Sequence, residues 1–185
     1  MKKVVFAPGN GGCTTKQFWF PYVQKELEKQ GVEVVAAVFP DPELARAKYW
    51  LPFLRNELMV DQDTVIVGHS TGAIAAMRYA EQYPILGSIL VGSYYTHLNI
   101  DTEKQSGYFN AQWQWEKIRN NQQWTVIFSS QDDPWIPITE PRFIHQQLQC
   151  EYHEFTNQGH FGGDYDKKSF PELVTALSSN LSRNA

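Results

Sequence analysis

Short apolar runs rich in β-branched residues alternate along this chain with longer stretches whose apolar residues recur at helical spacing. Residues 3–6, 32–38, 64–67, 88–91, 125–128 and 151–155 predict strands. Most are apolar at consecutive positions, the pattern of strands covered on both faces. Helices are predicted between them. Residues 20–29 carry Pro21 near the start, where proline is tolerated. Asp41-Pro42-Glu43 opens a second helix, with Asp41 as its N-cap. Residues 71–82 are alanine-rich and stop before Pro84. Residues 140–148 follow, and Ser169-Phe170-Pro171-Glu172 has the form of a capping box for a last helix. This alternation predicts right-handed βαβ units around a mostly parallel sheet of six strands flanked by helices. Residues 93–121 exceed a simple crossover and are rich in aromatic side chains, so they are expected to cover one face or to hold a helix within an elaborated loop.

The chain of 185 residues suits one domain spanning 1–185. A net charge of −4 without a run of like charges argues against nucleic acid and gives no support for an anionic membrane surface. Cys13 and Cys150 are too few for a disulfide framework, and no Cys/His cluster has zinc spacing, so no metal is expected. The apolar run before Pro8 is too short for a signal-peptide core, and no stretch approaches a membrane span. A soluble, cytoplasmic protein with reduced thiols is the expectation.

Chemistry enters at Val67-Gly68-His69-Ser70-Thr71-Gly72, a G-x-S-x-G sequence between an apolar run and an alanine-rich helix. A serine on the sharp turn of such a strand–turn–helix unit needs small neighbours, and the turn lifts its hydroxyl above the sheet at a helix N-terminus. At about 7% glycine, the three fixed matches arise by chance in roughly 6% of chains this long, so the context must carry the assignment. A serine nucleophile also needs a base, usually histidine oriented by a carboxylate, in the order Ser, Asp or Glu, His. Of five histidines, His160 alone lies in a loop just beyond the last strand, whereas His69, His97, His145 and His153 are less well placed. Two aspartates, Asp132 and Asp133, follow the fifth strand. The D-x-x-I-P spacing to Pro137 favours Asp133, leaving Asp132 to form a turn or bind the loop backbone.

An oxyanion hole needs two backbone donors. Thr71 N–H supplies one. The loop Pro8-Gly9-Asn10-Gly11-Gly12-Cys13 supplies the other, at Asn10 or alternatively Gly11. The same loop lacks G-K-[ST] and breaks G-x-G-x-x-G at its third glycine, which argues against nucleotide binding. Cys13 has no assigned histidine partner and reads as incidental. No cofactor is required. Phe18, Trp19, Trp113, Trp115, Trp135 and Phe161 are candidate pocket walls.

The stretch from Val67 to Glu81 closely resembles the small serine-hydrolase family of retinoblastoma-binding protein 9. Pro8-Gly9-Asn10-Gly11-Gly12, Trp50-Leu51-Pro52-Phe53, Trp113-Gln114-Trp115-Glu116-Lys117-Ile118, Asp132-Asp133-Pro134 and Gly159-His160-Phe161 resemble it too. The likeness covers nearly the whole chain. It implies a compact α/β-hydrolase without a large cap domain, and it places Ser70, Asp133 and His160 on the family's triad positions. The implied activity is hydrolysis of a small ester or amide, esterase- or aminopeptidase-like, on a small-molecule or short peptide-like substrate. The alternative is a protein-interaction module on a hydrolase scaffold. Retinoblastoma protein recognition is linked to L-x-C-x-E. Here Leu58-Met59-Val60-Asp61-Gln62 replaces the cysteine with Val60 and the glutamate with Gln62, so that partner is not carried over.

Overall fold

A computed structural model describes residues 2–164 and 166–183. Six parallel strands form one sheet in the order β2-β1-β3-β4-β5-β6. They are β1 (Lys3–Ala7), β2 (Glu33–Val35), β3 (Thr64–His69), β4 (Gly87–Val91), β5 (Trp124–Ser130) and β6 (Glu151–Phe155). The helices are α1 (Phe20–Glu28), α2 (Ala47–Pro52), α3 (Thr71–Ala80), α4 (Asp101–Ser106), α5 (Trp115–Asn120), α6 (Thr139–Leu148) and α7 (Pro171–Arg183), with a π-helical turn at Phe53–Glu57 continuing α2.

Strand alternation splits the core into two layers. Val5, Ala7, Ile66, Leu90 and Ile127 face one side, where they meet Trp50, Leu54, Ile118, Ile144 and the alanines of α3. Val4, Phe6, Val65, Val67, Ile89, Val126 and Phe128 face the other, against α1 (Phe20, Val23, Leu27) and α7 (Leu173, Leu177, Leu181). Each such large apolar side chain contributes about 1.5–3 kcal/mol on burial. Having both faces covered explains why the central strands read as continuous apolar runs, and every residue of β3 and β4 is buried.

The differences from expectation lie at the edges. The second strand covers only Glu33–Val35, because β2 is an edge strand paired to β1 alone, and Val38 is exposed. Asp41 is not an N-cap. Its backbone is left-handed (φ 51°), and its carboxylate is taken by the Arg46 guanidinium (2.8 Å) and the Arg46 N–H (3.0 Å), so α2 starts later, at Ala47. The S-x-x-E box is not formed either. The last helix begins at Pro171, and the carbonyl of Phe170 accepts the Val174 N–H, which puts Phe170 rather than Ser169 at the cap. The long segment after β4 folds into α4 and α5 with connecting loops.

The parallel register brings the carboxyl ends together: Ala7 pairs with Gly68, His69 with Val91, Val91 with Phe128 and Ser130 with Phe155. The loops that follow β1, β3, β4, β5 and β6 therefore share one end of the sheet, where open α/β sheets bind ligands. No helix among the described residues is long and apolar enough to cross a membrane.

Candidate active site

Ser70 connects β3 to α3 in a strained conformation, φ 55° and ψ −122°. Its N–H donates to Val91 O (2.8 Å), and its carbonyl accepts from Ala73 N–H (2.9 Å), so the turn is held from both sides. The flanking glycines are steric requirements. A Cβ on Gly68 would lie 2.3 Å from Gly72 O, and one on Gly72 would lie 2.1 Å from Ala7 O. The serine thus stands at the N-terminus of a buried helix, where the dipole favours negative charge.

His160 follows β6, and its ring is almost fully buried. Its Nδ1 lies 2.6 Å from Asp133 Oδ2, a carboxylate whose side chain is only 3% exposed. Asp133 Oδ1 accepts the N–H groups of Trp135 and Ile136, each at 2.9 Å, which fixes the carboxylate plane. Asp132 turns the other way. Its Oδ1 accepts the Ser130 hydroxyl (2.5 Å) and the N–H groups of Gln158 (3.2 Å) and Gly159 (3.1 Å). The Ser130 hydrogen bond first, with the backbone donors behind it, holds its carboxyl below the usual range. One aspartate therefore orients the imidazole, and its neighbour anchors the backbone that carries it. Asp164 adds to this anchorage by accepting the His160 N–H (3.2 Å). Trp135 stands edge-on to the His160 ring at 4.9 Å.

His69 is the nearest rival base. It is buried, its Nε2–H donates to the carbonyl of His160 (2.7 Å), and its ring lies 4.9 Å from that of His160. Burial, with the neighbouring His160 secondary, pushes its pKa down to about 3, so it stays neutral and acts as a strut for the His160 loop. His97, His145 and His153 lie away from the cavity: His97 binds Asn99 N–H, His145 stacks on Tyr152 and His153 pairs with Glu151.

Ser70 and His160 line one cavity of about 270 Å³. No hydrogen bond joins the Ser70 hydroxyl to His160 among the described residues, and such bonds commonly tighten only when substrate binds. Asn10 lies on the same cavity wall. Gly11 N–H is committed to Glu43 O (3.0 Å), whereas the N–H groups of Asn10 and Thr71 have no hydrogen-bond partner among the described residues. Cys13 also lines the cavity, and burial, with Glu43 adding to it, raises its thiol pKa.

The six aromatic candidates divide. Phe18 and Trp135 line the cavity. Trp19 and Phe161 do not: both are fully buried in the core on the α1/α7 side of the sheet, where their ring area is best hidden from water. Neither does Trp115, stacked on Trp113 at 5.3 Å, nor Trp113 itself. Trp113 packs under the Arg78 guanidinium (3.6 Å) and donates its Nε1–H to Tyr95 O. Leu98, Ile100 and Ile136 supply the remaining apolar walls. Two further polar residues, Tyr94 and Glu103, stand on the cavity wall. Tyr94 belongs to the aromatic segment expected to cover one face, and it lies just past β4 at the carboxyl edge. Glu103 escaped the sequence reading, because Asp101–Ser106 is polar throughout. Burial raises the Glu103 pKa, opposed by hydrogen bonds from Tyr94 and Asn10.

The serine hydrolase family model matches residues 4–179. The chain belongs to the serine hydrolase family. It is 42% identical over 181 residues to serine hydrolase RBBP9 of Rattus norvegicus, covering 97% of this chain and 95% of that protein. YdeN of Bacillus subtilis is 25% identical over 187 residues, and its crystal structure superposes with a TM-score of 0.88, covering 98% of this chain and all of that one. The meta-cleavage product hydrolase of Pseudomonas fluorescens IP01 shares the fold, with a TM-score of 0.76 at 12% identity over 100% of this chain and 92% of that one. The serine hydrolase is thus an α/β-hydrolase in fold, with its Gly68–Gly72 turn at the edge where the other site residues gather.

Proposed function

We propose that this serine hydrolase cleaves small esters or amides through an acyl-serine on Ser70. The observation that carries the reading is the 2.6 Å Asp133–His160 contact on the wall of the cavity that Ser70 enters. Asp133 accepts a hydrogen bond from His160 Nδ1–H, which keeps that proton on Nδ1 and leaves Nε2 as the acceptor. Ser70 Oγ attacks the substrate carbonyl while its proton passes to Nε2. The oxyanion is received by the N–H groups of Asn10 and Thr71, each worth about 3–4 kcal/mol in comparable sites. The carbonyl re-forms, the bond to the leaving group breaks, and the leaving oxygen or nitrogen takes the proton from Nε2. Water then repeats the sequence on the acyl-serine, losing its proton to Nε2, and frees Ser70 and a carboxylic acid.

Ser70→Ala is expected to lose labelling by a fluorophosphonate probe and to lower ester turnover about 10⁶-fold, the size of loss seen when such a unit loses its nucleophile. Labelling that survives this change overturns the assignment. Cavity size sets the substrate range. About 270 Å³ lies just below the usual span of small-molecule sites, and none of the residues lining it is lysine or arginine. Acetyl and butyryl p-nitrophenyl esters are therefore expected to exceed the decanoyl ester in kcat/KM by about tenfold or more, since a chain that leaves the cavity gains no further burial. A rising series with chain length contradicts this.

A further inference from the structure

Glu103 is only 4% exposed, with no cation paired to it among the described residues. Burying a carboxylate in that way costs stability unless hydrogen bonds offset it, and an apolar side chain would serve the core as well or better. Its two oxygens lead to the two oxyanion loops. Oε1 accepts the Asn10 Nδ2–H at 2.7 Å. Oε2 accepts the Tyr94 hydroxyl at 2.9 Å, and Tyr94 Oη lies 3.1 Å from Thr71 Oγ1. One chain of hydrogen bonds, Asn10–Glu103–Tyr94–Thr71, thus spans from the loop after β1 to the first turn of α3, through a side chain on α4. The two residues at its ends are those whose backbone N–H groups have no hydrogen-bond partner among the described residues, Asn10 on the cavity wall and Thr71 directly after Ser70.

We propose that Glu103 is a positioning residue that sets the spacing and aim of both oxyanion donors. The inference rests on the acyl-serine reading above. It gives the long segment after β4 a part in the chemistry, since α4 carries a carboxylate that joins the two loops. A donor displaced from the 2.7–3.1 Å range loses most of its worth, and only where charge develops in the transition state, so the loss falls on kcat.

The test uses the full chain and p-nitrophenyl acetate. Glu103→Leu severs both arms and is expected to lower kcat about 10²-fold with KM within about threefold. Glu103→Gln keeps an acceptor for Asn10 Nδ2 and a donor for Tyr94 Oη, and is expected to retain kcat within about threefold of wild type. Tyr94→Phe severs only the Thr71 arm and is expected to cost about tenfold. A Glu103→Leu protein with wild-type kcat, or a Glu103→Gln protein as slow as Glu103→Leu, overturns the proposal. Should Glu103→Leu not fold, Tyr94→Phe decides, and an unchanged kcat there overturns it. Wild-type protein that neither hydrolyses the ester nor takes the fluorophosphonate overturns the acyl-serine reading instead, which separates the two failures.

Discussion

Asp133→Asn should lower kcat about 10⁴-fold with little change in folding, the loss typical when an orienting carboxylate becomes an amide. The hydrogen bonds around Asp133 say why. Its Oδ1 accepts two backbone N–H groups, from Trp135 and Ile136. An asparagine must keep its carbonyl oxygen there, since its amide nitrogen cannot accept. The NH₂ group is then turned onto His160 Nδ1, which has to act as acceptor. The ring proton moves to Nε2, and the atom needed to receive the Ser70 proton already carries one. Asp132→Asn makes a contrast: its contacts are to Ser130, Gln158 and Gly159, so it should soften the loop while keeping kcat within about tenfold. Steady-state kinetics on both variants, with circular dichroism as a control, checks the pair. Equal losses would mean that the two carboxylates share one role.

Gly72→Ala should be strongly destabilising. The added carbon would lie 2.1 Å from Ala7 O and 2.5 Å from Pro8 O. Both atoms are backbone, and β1 is locked into register with β3, so α3 would have to lift off the sheet. Overpacking costs typically 1–3 kcal/mol and sometimes more. With no flexible atom to yield, a loss of about 3 kcal/mol or greater is expected, which lowers Tm by about 6–12 °C or prevents folding. Gly11→Ala is the contrasting control. Unlike Gly72 it has positive φ (65°), but its added Cβ meets nothing within 4 Å, so only the left-handed strain of about 1–2 kcal/mol applies. Thermal melts of the two variants should separate them clearly, and equal melting temperatures would show that α3 tolerates the shift.

How much was legible in the sequence depended on how many constraints met at each residue. The strands at 64–69 and 87–91 announced themselves because both faces are covered, leaving no polar alternation to confuse. The second strand was overdrawn, because an edge strand can end without breaking its apolar run. Asp41 looked like a cap by residue type, but Arg46, five residues on, competes for its carboxylate. The gathering of Ser70, Asp133 and His160 at one end of the sheet was readable, since each follows a strand and parallel pairing brings strand ends together. The pocket walls were not. Trp19 and Phe161 carry the same apolar area as Trp135, and only the side of the sheet on which each ring falls decides between core and cavity. Glu103 was invisible for a similar reason: the two partners of its carboxylate, Asn10 and Tyr94, lie on other segments, and its helix has no apolar face to orient it.

The turn from Ser130 to Ile136 has a consequence for how this scaffold can diversify. Within seven residues it supplies the carboxylate for the imidazole, the two N–H groups that hold that carboxylate, and the anchor for the histidine's own loop. An insertion or deletion anywhere inside it would disturb all of these together, so its length is as constrained as any core position. The connection from Ser93 to Asn121 has the opposite character. Apart from Tyr94 and Glu103, it can lengthen or shorten without touching Ser70, Asp133 or His160, and its Leu98, Ile100 and Thr102 form part of the cavity wall. Loops held by a rigid frame are where proteins acquire new specificity. New substrates for this architecture would therefore be reached by changes in the crossover after the fourth strand, while the turn after the fifth stays at fixed length.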